Sequence, residues 1–176
     1  MSNYSIHSDL ADALELVYKP ENILCTEIQA ETESVEYGAH SFKLNNYNIR
    51  FRVAKITPTK VGQFVTLWKR VAGGPIQPYD VADSVDLFVI NVRKDSNLGQ
   101  FVFPKTVLYE QDIVSSNAQG GKRAIRVYPP WDTGLNTQAK KTQKWQLKYF
   151  LDLSLNKPIN QTQFKQLYAM VFEDLK

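Results

Sequence analysis

The spacing of apolar residues near the N-terminus predicts a helix. Over Asp9–Tyr18 the apolar residues recur every three or four positions, which places them on one helix face. Ser8 is positioned to cap this helix, and Pro20 is positioned to end it. The residues that follow show no clear period, and we predict at most a second short helix around Ile28.

From His40 onward the apolar period changes to two, which predicts strands. The predicted strands are His40–Leu44, Asn48–Ile56, Gln63–Arg70, Ser84–Arg93, Phe101–Pro104 and Ala124–Tyr128. In the second of these, Arg50 and Arg52 alternate with apolar neighbours, so one face is apolar and the other is cationic. The fourth is apolar almost throughout, as is typical of a strand buried on both faces of a sheet.

Two helices are predicted after the last strand. The first covers Thr137–Leu151, and the second has one apolar stripe, made of Phe164, Leu167, Tyr168, Val171, Phe172 and Leu175. The order of elements predicts an α+β fold, an α/β sandwich in which helices flank a mixed, mostly antiparallel sheet. We expect one domain over residues 1–176, with an acidic helical segment at 1–35, a core at 36–151 and an amphipathic helix at 158–176.

Composition narrows the class of protein. Hydrophobic residues make up 43% and charged residues 22% of the 176 positions, which excludes a disordered chain. The single cysteine cannot form an internal disulfide, which favours a reducing compartment. No apolar run approaches the roughly 18 residues of a membrane span. We therefore expect a cytoplasmic protein with no membrane partner, no metal centre and no small-molecule cofactor.

Charge is segregated along the chain. Residues 1–36 contain eight acidic residues and one basic residue, whereas residues 37–70, the first basic block, contain seven basic residues and no acidic one. Residues 122–148, the second basic block, contain seven basic residues and one acidic residue. Two such blocks indicate a polyanionic partner. The alternative is that the acidic N-terminal segment pairs internally with the first basic block.

Few residues offer catalytic chemistry. The sequence lacks the glycine-rich phosphate loops, the nucleophile elbow and the HExxH zinc motif of common enzymes. A metal-dependent hydrolase needs clustered carboxylates, and no two of the candidates Glu36, Asp80 and Asp86 share one strand face at close spacing. His40 is expected to make a structural hydrogen bond, with catalysis as the alternative. Cys25 has no neighbouring base, which favours an inert buried thiol.

Basic residues interleaved with aromatic residues form the clearest functional signal. Such alternation is typical of grooves that bind single-stranded nucleic acid, in which cations follow phosphates and rings stack on bases. We expect phosphate contacts from Arg50, Arg52, Lys55, Lys60, Arg123, Arg126, Lys140 and Lys144, and base stacking from Trp131 and Trp145. For Trp145 a place in the core is an equally good interpretation.

Six segments in colinear order resemble the MepB family and together cover roughly residues 36–151. They are EYGAH (36–40), FRVAKITPTKVGQFVTLWKR (51–70), GPIQPYD (74–80), GQFVFPK (99–105), GKRAIRVYPPW (121–131) and KTQKWQLKYF (141–150). The resemblance implies a bacterial protein with a restriction-endonuclease-like core. Enzymes of that fold hold Mg²⁺ with an acidic residue and a Glu/Gln-x-Lys sequence on adjacent strands. Here the nearest match places Lys55 at the motif lysine, but Val53 stands where a metal ligand is required.

The leading functional hypothesis is therefore a protein that binds DNA or RNA without strong sequence preference and lacks a functional nuclease metal site. One alternative is a Mg²⁺-dependent, nuclease-like hydrolase with Glu36, His40, Lys55 and Asp86 as its catalytic candidates, and only this alternative requires Mg²⁺ as a cofactor. The other alternative is a module that docks a protein partner.

Overall fold

The computed structural model describes residues 5–175, and strands dominate it. In chain order these are β1 (Cys25–Ala30), β2 (His40–Leu44), β3 (Tyr47–Val53), β4 (Lys55–Ile56), β5 (Gln63–Thr66), β6 (Trp68–Arg70), β7 (Ile76–Pro78), β8 (Leu87–Lys94), β9 (Asn97–Pro104), β10 (Ala124–Val127) and β11 (Phe150–Asp152). The α-helices are α1 (Ser8–Ala13), α2 (Lys105–Glu110), α3 (Thr137–Gln146) and α4 (Gln161–Leu167). No helix of residues 5–175 is long and apolar enough to cross a membrane.

Six strands form the main sheet in the order β1-β2-β3-β8-β9-β11. Only the pair β3–β8 is parallel, and the other neighbours in this sheet pair antiparallel. Smaller sheets are formed by β10-β5-β4 and by β6-β7. The predicted α+β fold, with a mixed and mostly antiparallel sheet flanked by helices, is confirmed.

Strand β8 lies at the centre of the main sheet and is buried on both faces, as its sequence predicts. Its residues Leu87 and Val89 point into one hydrophobic cluster, and Phe88, Ile90 and Val92 point into a second cluster on the opposite face. Each face must therefore be covered by other elements, because apolar side chains on both sides are excluded from water.

The first face is covered by the two ends of the chain. Leu10 and Val17 from the N-terminal helical segment pack there with Phe164 and Val171 from the C-terminus. The predicted C-terminal stripe is confirmed as core: Phe164, Leu167, Tyr168 and Val171 are buried, and Phe172 is half-buried. The helix itself is shorter than predicted, because after α4 the chain continues as a 3₁₀ turn over Ala169–Leu175. The side chains of Asp174 and Leu175, and residues 1–4 and 176, lie outside the described part.

A chain of buried polar groups ties these terminal elements to the sheet. The hydroxyls of Tyr18 and Tyr168 lie 3.0 Å apart, and the Tyr168 hydroxyl also donates to the side chain of Gln100. Gln100 in turn donates to Asn91 over 3.3 Å, and Asn91 donates to the Asp9 carbonyl over 3.1 Å. Burial raises the pKa of both tyrosines, so their hydroxyls remain protonated donors at neutral pH.

The second face is covered by the connection between the parallel strands β3 and β8 and by the segment after β9. This connection carries β4 to β7 in place of the usual crossover helix. Val65 of β5 and Val127 of β10 pack over Phe88 and Phe103 of the main sheet, together with Leu108 of α2. The small sheet β10-β5-β4 thus lies over the main sheet and supports the surface between β10 and α3.

Several details differ from the sequence-based predictions. The helix predicted around Ile28 is wrong, because this segment forms β1, an edge strand paired with β2. A bulge between Thr26 and Gln29 interrupts the period of two and hides the strand in the sequence. The first helix is capped by the His7 side chain, which accepts a hydrogen bond from the Asp9 amide, and not by Ser8.

Three predicted elements are divided in the structure, and strand β7 has no predicted counterpart. The predicted strand Asn48–Ile56 is interrupted at Ala54, and Gln63–Arg70 is interrupted at Leu67. The predicted helix Thr137–Leu151 ends as α3 and a 3₁₀ turn, after which the chain enters β11. Helix α2 was not predicted.

Replacement of Phe164 by alanine tests the role of the C-terminal helix. Because Phe164 is 1% exposed and packs in the first cluster, the Phe164→Ala variant should lose about 3–5 kcal/mol of unfolding free energy in urea. Lys165→Ala, an exposed change on the same helix, should leave the midpoint nearly unchanged. Equal stability of the two variants would show that this helix is not part of the core.

Candidate nucleic-acid interface

Most of the first basic block is neutralised inside the protein. Five of its seven basic residues form ion pairs, namely Lys43 with Glu27 (3.1 Å), Arg50 and Arg52 with Glu31 (3.4 and 2.7 Å), Lys69 with Asp83 (2.6 Å) and Arg70 with Glu33 (2.7 Å). Three of the four acids come from residues 1–36. Internal pairing, the alternative that the charge pattern allowed, therefore describes this block.

Arg52 is the most deeply buried of these bases. It is 1% exposed, and its guanidinium donates to Glu31, to the Phe51 carbonyl over 2.9 Å and to the Tyr79 hydroxyl over 3.3 Å. The predicted cationic face of β3 is therefore wrong at Arg52, because Glu31 and Tyr79 cover it. Arg50 on the same face is half-buried and faces the same carboxylate.

The cavity beside these ion pairs has balanced charge. It measures about 360 Å³, and the charged residues that line it are Glu31, Glu33, Asp83, Arg50, Lys69 and Arg70. The three acids balance the three bases, so the cavity has no net positive charge that would attract a phosphate. Neither Arg50 nor Arg52 is available at this place as an unpaired cation.

The second basic block has no such compensation. Among the described side chains, those of residues 5–173, no ion pair involves any of its seven bases, which are Lys122, Arg123, Arg126, Lys140, Lys141, Lys144 and Lys148. The one acid of the block, Asp132, lies 3.8 Å from Lys94, outside the block. Burial raises the pKa of Asp132 against the lowering effects of Lys94 and of the Gly62 backbone, which weakens its negative charge as the pH falls.

Three of these bases, Lys122, Arg126 and Lys141, line a groove between β10 and α3, which we call the β10–α3 groove. It consists of three adjoining cavities of about 450, 460 and 320 Å³. The first and second share Arg126 and Tyr128 in their walls, and the second and third share the loop residues Thr59, Lys60 and Val61. The charged residues that line the groove are Lys60, Lys94, Lys122, Arg126, Lys141 and Asp132. Five bases and one acid make the groove cationic.

Two glutamines fix the width of the groove by holding α3 against the chain that follows β10. The buried side chain of Gln146 accepts from the Tyr128 amide over 2.8 Å and donates to the Arg126 carbonyl over 2.9 Å. Gln143 donates to the carbonyls of Pro129 and Asp132. Because backbone groups on one element are satisfied by side chains of the other, the two walls are held at a fixed distance.

The side chains of β10 and of the residue after it differ in burial. Ile125 and Val127 are buried, although Ile125 also borders the first cavity, whereas the half-buried Arg126 and Tyr128 line both the first and the second cavity. The Arg126 guanidinium is held in place without any acid, by donating to the Thr57 hydroxyl over 2.7 Å and to the Gly62 carbonyl over 3.3 Å. Its positive charge therefore remains free for an anionic ligand.

The predicted tryptophans belong partly to the core. The Trp145 ring packs on Phe103 with 5.4 Å between centroids, and the Trp131 ring contacts Phe150 edge-on at 5.8 Å. The Nε1 atom of Trp131 is buried without a hydrogen-bond partner among the described residues. Each tryptophan also lines one cavity of the groove, so both hold the walls together and border the site.

The structure distributes the other predicted phosphate contacts unevenly. Lys60 and Arg126 line the groove, whereas Arg123, Lys140 and Lys144 are exposed and line none of its three cavities. Lys55 is exposed, with its ammonium 4.9 Å from the centre of the Tyr37 ring.

Sequence analysis did not select Lys122, Lys141 and Tyr128, which line the groove. The spacing of four between Lys140, Lys144 and Lys148 favours one stripe of cations, and Lys141 lies one position away from that stripe. For Tyr128 the available signal was its place after Arg126 in the alternation of β10.

Comparison with known proteins identifies the family of this chain. A family model described as MepB-like matches residues 31–152, which is more than half of the chain and includes both basic blocks. The chain belongs to the MepB-like family. A solved structure described as "Crystal Structure of MepB" is 35% identical to this MepB-like chain, with a TM-score of 0.73, and the match covers 87% of this chain and 99% of the other. No curated protein matches the sequence.

The catalytic candidates of this MepB-like protein are dispersed. Asp86 immediately precedes β8, and its carboxylate accepts from the amide of Asn48, near the start of β3, over 2.7 Å. Lys55 follows the other end of β3, seven residues beyond Asn48, so about 20 Å separates it from Asp86. His40 is buried and bonds the Gly38 carbonyl through Nδ1 over 2.9 Å, and Glu36 is exposed in the preceding turn. The structure thus places Asp86 away from the other three.

The remaining reactive groups have structural partners. Asp80 accepts hydrogen bonds from the backbone of Ala82 and Ala118 and from the Ser115 hydroxyl, and these bonds lower its pKa. Burial raises the pKa of the Cys25 thiol to about 11, so it is protonated at neutral pH. Residues 5–175 contain no group of three or more His, Cys, Asp or Glu side chains arranged to hold a metal ion.

A pair of alanine variants tests the role assigned to Arg52. Glu31→Ala leaves Arg52 buried without its carboxylate and should lower the free energy of unfolding by about 3–5 kcal/mol. Glu33→Ala removes the acidic partner of Arg70 from an ion pair that is more exposed than that of Arg52. It should lower the free energy of unfolding by no more than about 1 kcal/mol. Chemical denaturation measures both. A Glu31→Ala variant as stable as Glu33→Ala would mean that Arg52 does not need this partner.

Proposed function

We propose that this MepB-like protein binds DNA or RNA without strong sequence preference through the β10–α3 groove and the basic surface beside it. The observation that carries the proposal is the contrast between the two basic blocks. Five bases of the first have acidic partners, whereas none of the seven bases of the second forms an ion pair in the described chain. Uncompensated cations that converge on a concave surface repel one another, and a polyanion relieves that repulsion.

In this proposal the phosphate contacts come from two groups of side chains. Lys60, Lys122, Arg126 and Lys141 reach phosphates from the walls of the groove. Arg123, Lys140 and Lys144 extend the cationic surface outside it, where they are exposed. The buried or paired Arg52 and Arg50 are left out, because an anion would have to displace Glu31 from both.

Contacts of this kind give affinity without a sequence code. Phosphate contacts fix the position of the nucleic acid, whereas sequence is read from base edges. Lysines dominate the proposed set, and a lysine ammonium acts as a point charge without the planar fork with which arginine reads guanine. We therefore propose similar affinities for different sequences and a strong dependence on salt concentration.

Hydrolysis and protein docking remain the competing functions. The separation of Asp86 from Lys55 and the valine at position 53 give a Mg²⁺-dependent hydrolase little support. An acidic protein could occupy the same cationic surface. Incubation of labelled DNA and RNA with the protein, with EDTA or with Mg²⁺, distinguishes retardation from cleavage.

The double variant Lys122→Ala/Lys141→Ala tests the proposal. Each lost phosphate contact should make the plot of log affinity against log salt concentration shallower by about 0.7–0.9. The loss of affinity should be similar for unrelated sequences, as measured by fluorescence anisotropy of labelled oligonucleotides. All substituted positions are exposed, so thermal melting should be unchanged.

The matched control is Lys43→Ala/Arg70→Ala, which removes the same charge from paired positions of the first block. This control should keep most of the affinity and of the salt dependence. Equal losses in both double variants would show that net charge and not the groove determines binding. Wild-type protein without salt-sensitive binding would end the nucleic-acid proposal and favour an acidic protein partner.

A further inference from the structure

Tyr128 lies where the first and second cavities of the β10–α3 groove meet, and its ring makes few contacts with other side chains. It lines both the first and the second cavity. In the described part of the chain its ring pairs with no other aromatic ring, and its hydroxyl has no hydrogen-bond partner. Trp131 and Trp145, by contrast, are packed on phenylalanines of the core. Tyr128 is therefore the groove aromatic that is not committed to packing on another ring.

Gly62 lies directly against this ring. The glycine has a φ of +83°, and a Cβ atom at this position would lie 2.6 Å from Cε1 of Tyr128. Only a residue without a side chain allows the ring to lie so close to the backbone. The ring is therefore held against the Gly62 backbone at a position that lines two cavities of the groove.

Cations flank the ring along the groove. Lys122 and Lys141 line the first cavity, Lys60 lines the second, and Arg126 stands beside Tyr128 in both. A single strand of nucleic acid offers matching groups, because its phosphates can contact the cations while an unpaired base can stack on the ring. A duplex does not, because its base faces are already stacked on one another and only its phosphates are outside.

We infer that the β10–α3 groove binds a single strand of nucleic acid in preference to a duplex, and that Tyr128 is the surface on which one unpaired base stacks. This inference rests on the proposed function, and it adds the strandedness of the ligand and the residue that determines it. The ring recognises the face of any base, so the preference concerns unpaired structure and not sequence.

The test compares Tyr128→Leu with Tyr128→Phe on a labelled oligonucleotide, alone and annealed to its complement. Leucine preserves apolar bulk over Gly62 but removes the ring, so affinity for the single strand should fall roughly 5- to 100-fold. Phenylalanine keeps the ring and should bind within about twofold of wild type. Affinity for the duplex should be the same in all three proteins, and so should the salt dependence, since no charge is changed.

The possible results separate this inference from the proposed function. If Tyr128→Leu binds the single strand as wild type does, or loses single strand and duplex affinity equally, the inference is overturned, whereas salt-sensitive binding that depends on Lys122 and Lys141 would still support the proposed function. If wild type binds neither form, both fail. Thermal melts accompany each variant, and a Tyr128→Leu protein that melts as wild type does makes the comparison of affinities valid.

Discussion

The ion pair between Glu31 and buried Arg52 is the interaction on which the charge distribution of this protein depends. A guanidinium on the covered face of β3 requires a carboxylate, because an unpaired buried charge costs several kcal/mol. Glu31 follows β1, so the edge strand must pair with β2 to bring it there. The same carboxylate faces Arg50, and its neighbour Glu33 pairs with Arg70. Docking of the acidic N-terminal segment thus neutralises the cations of the adjacent strands.

Because most of the first basic block is neutralised, the uncompensated positive charge lies mainly in the second basic block. The groove between β10 and α3 keeps its cations, because the small sheet and α3 that form its walls bring no acid except Asp132. The groove is held open by Gln143 and Gln146 and supported from below by the second hydrophobic cluster. The MepB-like match over residues 31–152 includes both the segment that neutralises and the segment that remains charged. The proposed function follows from this division of charge.

Sequence patterns predicted the elements whose burial is evident from their own apolar residues. They missed features that depend on residues far away in the sequence. The burial of β8 on both faces was evident from its continuous apolar run, and the C-terminal stripe from its period. The bulge in β1 concealed a strand, and without that strand nothing indicated that Glu31 would reach Arg52. Alternation alone cannot distinguish a solvent-exposed face from one covered by residues 63–85. The role of Tyr128 is hidden in the sequence for a related reason, because the position of its ring depends on contact with Gly62, which is 66 positions earlier.

The central claim is that the second basic block, and not the first, contacts nucleic acid. Titration of the ¹⁵N-labelled protein with a short oligonucleotide, followed by NMR, tests this claim most directly because it reports on both blocks at once. We expect the amide shifts to concentrate at residues 59–62, 122–128 and 138–146, while the amides of β2, β3 and β6 keep their positions. Shifts centred on Arg50, Lys69 and Arg70, with the β10–α3 groove unaffected, would contradict it.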